Sequence, residues 1–118
     1  MGGNGCSVGG SWNDWSPEEM EPAEPGRFRA VACLRRGCAE FQVLVGRDWQ
    51  KVFHPVRPRA GPNTPVLGPD AHGHGLNWAV HAEASETLVV EFCESFGGAP
   101  RILWSKRGPS TVPQSAFQ

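Results

Sequence analysis

Two short segments hold the residue types best suited to chemistry on this chain. Gly10-Ser11-Trp12-Asn13-Asp14-Trp15-Ser16 sets two indoles three residues apart among hydroxyl, amide and carboxylate groups. Asp48-Trp49-Gln50 places a third indole in similar company. An indole held at a surface offers a flat apolar plate with a polar rim. A pyranose ring is its complement, since axial C–H groups give the sugar an apolar face while equatorial hydroxyls accept and donate hydrogen bonds at its edge. Trp15 and Trp49 are therefore the expected stacking pair. Gln42 and Asn77, both on the non-core faces of their expected strands, are the expected amide partners. Trp12 is expected to anchor its own turn from the inside.

Catalytic machinery is not apparent. The chain has no Gly-x-Ser-x-Gly elbow, no His-Glu-x-x-His pair and no phosphate loop, so no catalytic residue is assigned. Its four histidines are His54, His72, His74 and His81. His72-Gly73-His74 supplies two imidazoles without a third ligand nearby, which leaves no expected metal site and no expected cofactor. Eleven Lys and Arg against twelve Asp and Glu give a net charge of −1. That balance points away from nucleic acid, and no polybasic or long apolar run points to a membrane. Met1-Gly2-Gly3-Asn4-Gly5-Cys6 lacks the basic start and apolar stretch of a secretory signal, so an intracellular, cytoplasmic location is expected. In that compartment Cys6, Cys33, Cys38 and Cys93 should be free thiols. Cys33 and Cys38 flank a turn and could face each other across a hairpin.

The elements that must position these residues are strands. From Arg27, Phe28, Ala30, Ala32 and Leu34 alternate with the residues between them, a period of two that marks a half-buried strand. After the Arg35-Arg36-Gly37 turn, Ala39, Phe41, Val43 and Val45 share one face, and the two runs read as a hairpin. Further strands are expected at Trp49–His54, Leu76–Ala82, Thr87–Cys93 and Arg101–Ser105, with Gly97-Gly98 joining the last two. By alternation Trp78 and Trp104 fall on core faces. Ser16-Pro17-Glu18-Glu19 has the form of a helix start, limited to about one turn by Pro22 and Pro25, and Glu18, Glu19, Glu21 and Glu24 read as a solvated loop. Residues 55–75, rich in proline and glycine, read as one long irregular loop. The expected architecture is an all-β, immunoglobulin-like antiparallel β-sandwich of about six or seven strands over residues 10–105. A flexible glycine-rich N-terminus (residues 1–9, with Cys6-Ser7-Val8 as the stub of an edge strand) and a disordered tail (residues 106–118) flank it.

The tryptophan motifs carry a resemblance. Gly10-Ser11-Trp12-Asn13-Asp14-Trp15-Ser16 is similar to the Gly-Ser-aromatic-Asn-x-Trp-Ser opening of the starch- and glycogen-binding modules of carbohydrate-binding families 48 and 20, which include the glycogen-binding domain of the AMP-activated kinase beta subunit. Glu40 to Val45 followed by Asp48-Trp49 resembles their strand-turn-Trp segment, and Gly73 to Val80 their closing Asn-bearing strand. The resemblance spans residues 10–82. It implies a β-sandwich that stacks an α-glucan on Trp15 and Trp49, with hydrogen bonds from Asn77 and the Gln42 position. The chain departs from the pattern in carrying Gln42 where lysine is common and Asn77-Trp78 where an Asn-Asn pair is usual. The reduced first strand points to a truncated N-terminus or a fragment of a larger protein, whose other domains would then be partners. The leading reading is a noncatalytic α-glucan-binding module. The alternative is a sandwich that has lost the sugar and serves as a protein-interaction or regulatory domain.

Overall fold

Alternation along two long strands sets the architecture. The computed structural model describes residues 5–94 and 99–107, and within them ten strands: β1 (Cys6–Gly10), β2 (Glu18–Glu19), β3 (Glu21–Glu24), β4 (Arg27–Leu34), β5 (Gly37–Val45), β6 (Val52–Pro55), β7 (Val66–Asp70), β8 (Trp78–Ala82), β9 (Glu86–Cys93) and β10 (Arg101–Arg107). One sheet runs β2-β1-β5-β6-β7, with β8 also paired to β5, and the other runs β10-β9-β4-β3. All strand pairs are antiparallel, and the two sheets form a β-sandwich. Between the sheets lie Val8, Phe41, Val43, Val80, Leu88, Val90, Phe92 and Ile102, all buried.

The ring of Phe41 is the centre of this core. Trp12, Trp78 and Trp104 surround it, with ring centroids 5.6, 5.7 and 5.4 Å away. Those separations fall in the range of favourable aromatic pairs, each contributing about 0.5–1.5 kcal/mol beyond burial. The expected inward roles of Trp12 and Trp78 are met, Trp78 completely so at 0% exposure. Trp104 packs against the core but stays only partly buried.

Several local expectations are corrected. The runs around Arg35-Arg36 do not form a hairpin: β4 pairs with β9 over eight residues, whereas β5 joins the other sheet. Alternation shows that each strand has one apolar face, and a crossover between sheets satisfies that pattern as well as a hairpin does. Cys33 and Cys38 therefore sit on different sheets, exposed and unbridged. The helix start at Ser16 is instead extended chain leading into β2 and β3, so the acidic stretch is paired strand and not loop. Met20, buried between them, supplies the apolar anchor. Cys6-Ser7-Val8 is no edge stub. β1 pairs on both sides, with β2 and β5, and all five of its residues are buried, so residues 6–9 belong to the sandwich and not to a flexible leader.

Residues 55–75 are not one irregular loop, because β7 forms within them and Ala60 bridges to Trp78. The strand expected at Trp49–His54 starts at Val52, and the one expected from Leu76 starts at Trp78. At the C-terminal end β10 continues through Lys106 and Arg107, two residues into the expected tail. Gly97-Gly98 and residues 108–118 lie outside the described residues. The count of ten exceeds the expected six or seven because β1, β2, β3 and β7 are too short or too polar to show an alternation of their own.

Burial and the nearby Glu94 carboxylate push the Cys6 thiol up to about 12, and Cys93 is buried as well. Iodoacetamide applied to the native protein should label Cys33 and Cys38 and spare Cys6 and Cys93 until denaturant is added. Peptide mapping by mass spectrometry reads the four sites separately.

Candidate functional site

On the outer face of the first sheet, the even-numbered residues of β5 form a floor while the odd-numbered ones fill the core. Above that floor lies an open concavity of about 530 Å³ lined by Trp15, Gln42, Trp49, Val52, Ala71, Gly73, His74, Gly75 and Asn77. This volume is within the usual range for small-ligand sites. All four residues singled out in the sequence, Trp15, Trp49, Gln42 and Asn77, reach it from four separate segments.

Each indole is placed by local backbone chemistry. A short 3-10 turn at Ser11–Asn13 ends with Asp14 and Trp15 at φ 56° and 61°. Two successive non-glycine residues in the left-handed region are unusual, and such strain is most often kept at functional positions. The turn is fixed by Trp15 N–H donating to Gly10 O at 2.8 Å and Ser16 N–H to Asn13 O at 3.0 Å. Asn13 closes it from the side, its Oδ1 accepting from Gly10 N–H and its Nδ2 donating to Glu18, both at 3.0 Å. Asn13 is thus structural.

Trp49 sits in the β5–β6 connection. There Asp48 N–H donates to Val45 O, Lys51 N–H donates to Asp48 O, and the Asp48 carboxylate accepts from Gln50 N–H. The indole of Trp49 is 39% exposed and lies across Gly9 of β1. A Cβ at Gly9 would stand 2.9 Å from the indole, closer than carbon atoms pack. Gly9, absent from the sequence-based site, is therefore the seat of this platform. The Gly9-Gly10 pair just before Ser11 was the one signal that could have revealed it.

The two amides behave differently from expectation. Gln42 does face away from the core, yet it is buried at 4% exposure. Its Nε2 donates to Gly73 O at 2.5 Å and to Leu76 O at 3.0 Å, so both amide hydrogens are spent on the chain before β8. Asn77 donates through Nδ2 to Glu40 Oε1 at 2.8 Å. Ala60 N–H donates to Asn77 O at 3.1 Å, which pins that residue from the other side. Both amides border the concavity while holding parts of it in place.

One wall of the concavity is the chain from Ala71 to Gly75. It is supported by His54, a fully buried side chain of β6 whose ring lies against Gly73, where a Cβ would meet it at 2.8 Å. His54 Nε2 is 3.0 Å from Asp70 Oδ1, and its Nδ1 is 3.0 Å from Pro55 O. Asp70 Oδ1 also accepts from the backbone N–H of His72 at 2.8 Å. That N–H and then the His54 ring hold the Asp70 carboxyl below its ordinary range. The histidines read as a weak metal pair thus divide their roles: His72 joins the Asp70 turn through its backbone, and His74 borders the concavity. Among the described residues no three His, Cys, Asp or Glu side chains gather as ligands.

Comparisons with known proteins place this geometry in one context. No family model and no curated protein matches the chain. Among solved structures the chain is similar to the ligand-induced structure of the AmyP starch-binding domain, with a TM-score of 0.58 and 22% identity over 92% of this chain and 75% of that one. At that identity the likeness establishes a shared fold.

Two outcomes follow from these contacts. Gly9→Ala should push the Trp49 indole off its seat, visible as a shift in tryptophan emission, while far-UV circular dichroism stays that of the wild type. Asp70→Asn should lower stability near neutral pH. A carboxyl depressed in the folded state contributes stability above its unfolded pKa of about 3.9, and that contribution is lost as pH falls through the folded value. Urea unfolding should therefore show the gap between wild type and Asp70→Asn narrowing below about pH 4.

Proposed function

We propose that the chain is a noncatalytic carbohydrate-binding module that takes an α-glucan of the starch or glycogen kind. The observation that carries this reading is the convergence of Trp15 and Trp49 on one open concavity, although 34 residues separate them in sequence. Nothing in the core needs that convergence, since Phe41 is already surrounded by the other three indoles. The strained backbone at Trp15 and the glycine seat under Trp49 are likewise costs to the fold alone. A sugar stacked on the indoles would offset them.

The shared fold with the AmyP starch-binding domain and the motif resemblance over residues 10–82 support the same ligand class. In this reading Asn77 borders the sugar through its amide oxygen, which has no partner among the described residues, and Gln42 serves beneath the surface. The internal use of both amides favours the second reading, a sandwich kept for protein interaction or regulation, to the extent that it removes hydrogen bonds from a ligand. The open shape implies modest affinity, because a shallow site buries little of its ligand.

Affinity electrophoresis through gels containing amylose or glycogen separates these readings. Wild type should be retarded. Trp15→Ala and Trp49→Ala should each weaken retention about tenfold or more while remaining folded, as expected when a central aromatic contact is truncated. Wild type running freely through several polysaccharides would leave the interaction-domain reading.

A further inference from the structure

The polar contacts of the site are divided unevenly among its lining residues. Gln42 has given both amide hydrogens to Gly73 O and Leu76 O, and Asn77 has given Nδ2 to Glu40, whose other carboxylate oxygen is 3.8 Å from Arg59. Of the polar side chains bordering the concavity, His74 is the one whose ring has no protein partner among the described residues. The local backbone explains why it stands there alone. Gly73 lies against the His54 ring and has no room for a side chain, and Gly75 adopts φ 82°, a conformation that side chains disfavour. Within this turn, residue 74 is the position from which a side chain can enter the site.

The turn is also held firmly. Gln42 fastens its two carbonyls from beneath, His54 fills the space under Gly73, and Asp70 ties down His72. A binding group on such a support loses little freedom when it engages a ligand.

Resting on the α-glucan reading, we infer that His74 is a specificity-determining residue of this site, hydrogen-bonding the hydroxyl edge of the sugar whose face lies on the tryptophans, with Gln42 as its positioning residue. A neutral imidazole carries one donor and one acceptor, as a hydroxyl does, so the two groups pair in either sense. The wall also gives the site a side as well as a floor. Its ligand is then a single glucan chain offering an edge, and not the flat face of a crystalline polysaccharide.

Calorimetric titration with maltoheptaose tests the assignment. His74→Ala should weaken binding about tenfold, the worth of one well-placed hydrogen bond. His74→Gln, which keeps a donor and an acceptor, should recover most of that loss. Gln42→Leu should weaken binding as much as His74→Ala, and the two together should cost little more than either alone. Wild type that binds, with His74→Ala within twofold of it, overturns this inference and leaves the glucan reading standing. Equal losses in His74→Ala and His74→Gln overturn the hydrogen-bonding role. Wild type that binds no maltooligosaccharide overturns both readings.

Discussion

Three indoles packed on one phenyl ring hold this small sandwich together. Phe41 lies midway along β5, and the tryptophans around it come from the 3-10 turn, from β8 and from β10. In this way one ring ties both sheets and the N-terminal turn to a single point. A chain of 118 residues buries a limited fraction of its surface, so concentrating large side chains at the centre is an efficient way to close the core. The arrangement has one evident cost: the indole Nε1 of Trp78 is buried without a partner among the described residues, a loss of about 1–3 kcal/mol that burial of the largest side chain in the core must offset.

That core also determines where the outer surface can be functional. Trp12 packed on Phe41 fixes the turn from which Trp15 emerges three residues later. Trp78 packed on the same ring fixes Asn77 at the rim of the concavity, one residue before it. Gln42 is the neighbour of Phe41 on β5 and so is forced to the opposite face. Three of the four expected site residues are therefore next to, or one turn from, a side chain of the central cluster. The fourth, Trp49, reaches the same place through the β5–β6 connection and its seat on Gly9. Site and core are two faces of the same strand.

The wall of the site is built by other means. Between β7 and β8 the chain has little apolar content, and two buried polar side chains do the holding: Gln42 through its amide and His54 through its ring. Gln42 pairs with two backbone carbonyls and His54 with the Asp70 carboxylate and Pro55 O, so neither buried side chain is left without a partner. A polar support of this kind specifies one conformation of the turn, because Gln42 Nε2 bridges the carbonyls of Gly73 and Leu76 while Leu76 N–H closes the same turn onto Gly73 O at 2.8 Å. A rigid rim on an otherwise open surface is the consequence.

The period-two pattern of β4, β5, β8 and β9 was legible in the sequence, because alternation reports directly that one face of a strand is buried. So were the polar settings of Trp15 and Trp49 and the outward direction of Gln42, which follow from local residue types. Partner choice was not legible. The alternation of Arg27–Leu34 and Gly37–Val45 fits a hairpin and a crossover equally, and only the competition of β9, β1 and β8 for those strands decides between them. The pairing of β1 with β5, the burial of Gln42, the seat at Gly9 and the support of His54 under Gly73 all arise between residues 19 to 40 positions apart in the chain. Sequence determined which faces are apolar and which aromatic and amide side chains stand off the core. Tertiary structure alone decided which of those side chains are spent on internal contacts, because hydrogen-bond partners are allotted by proximity in space, and that proximity exists only once the two sheets have closed on Phe41.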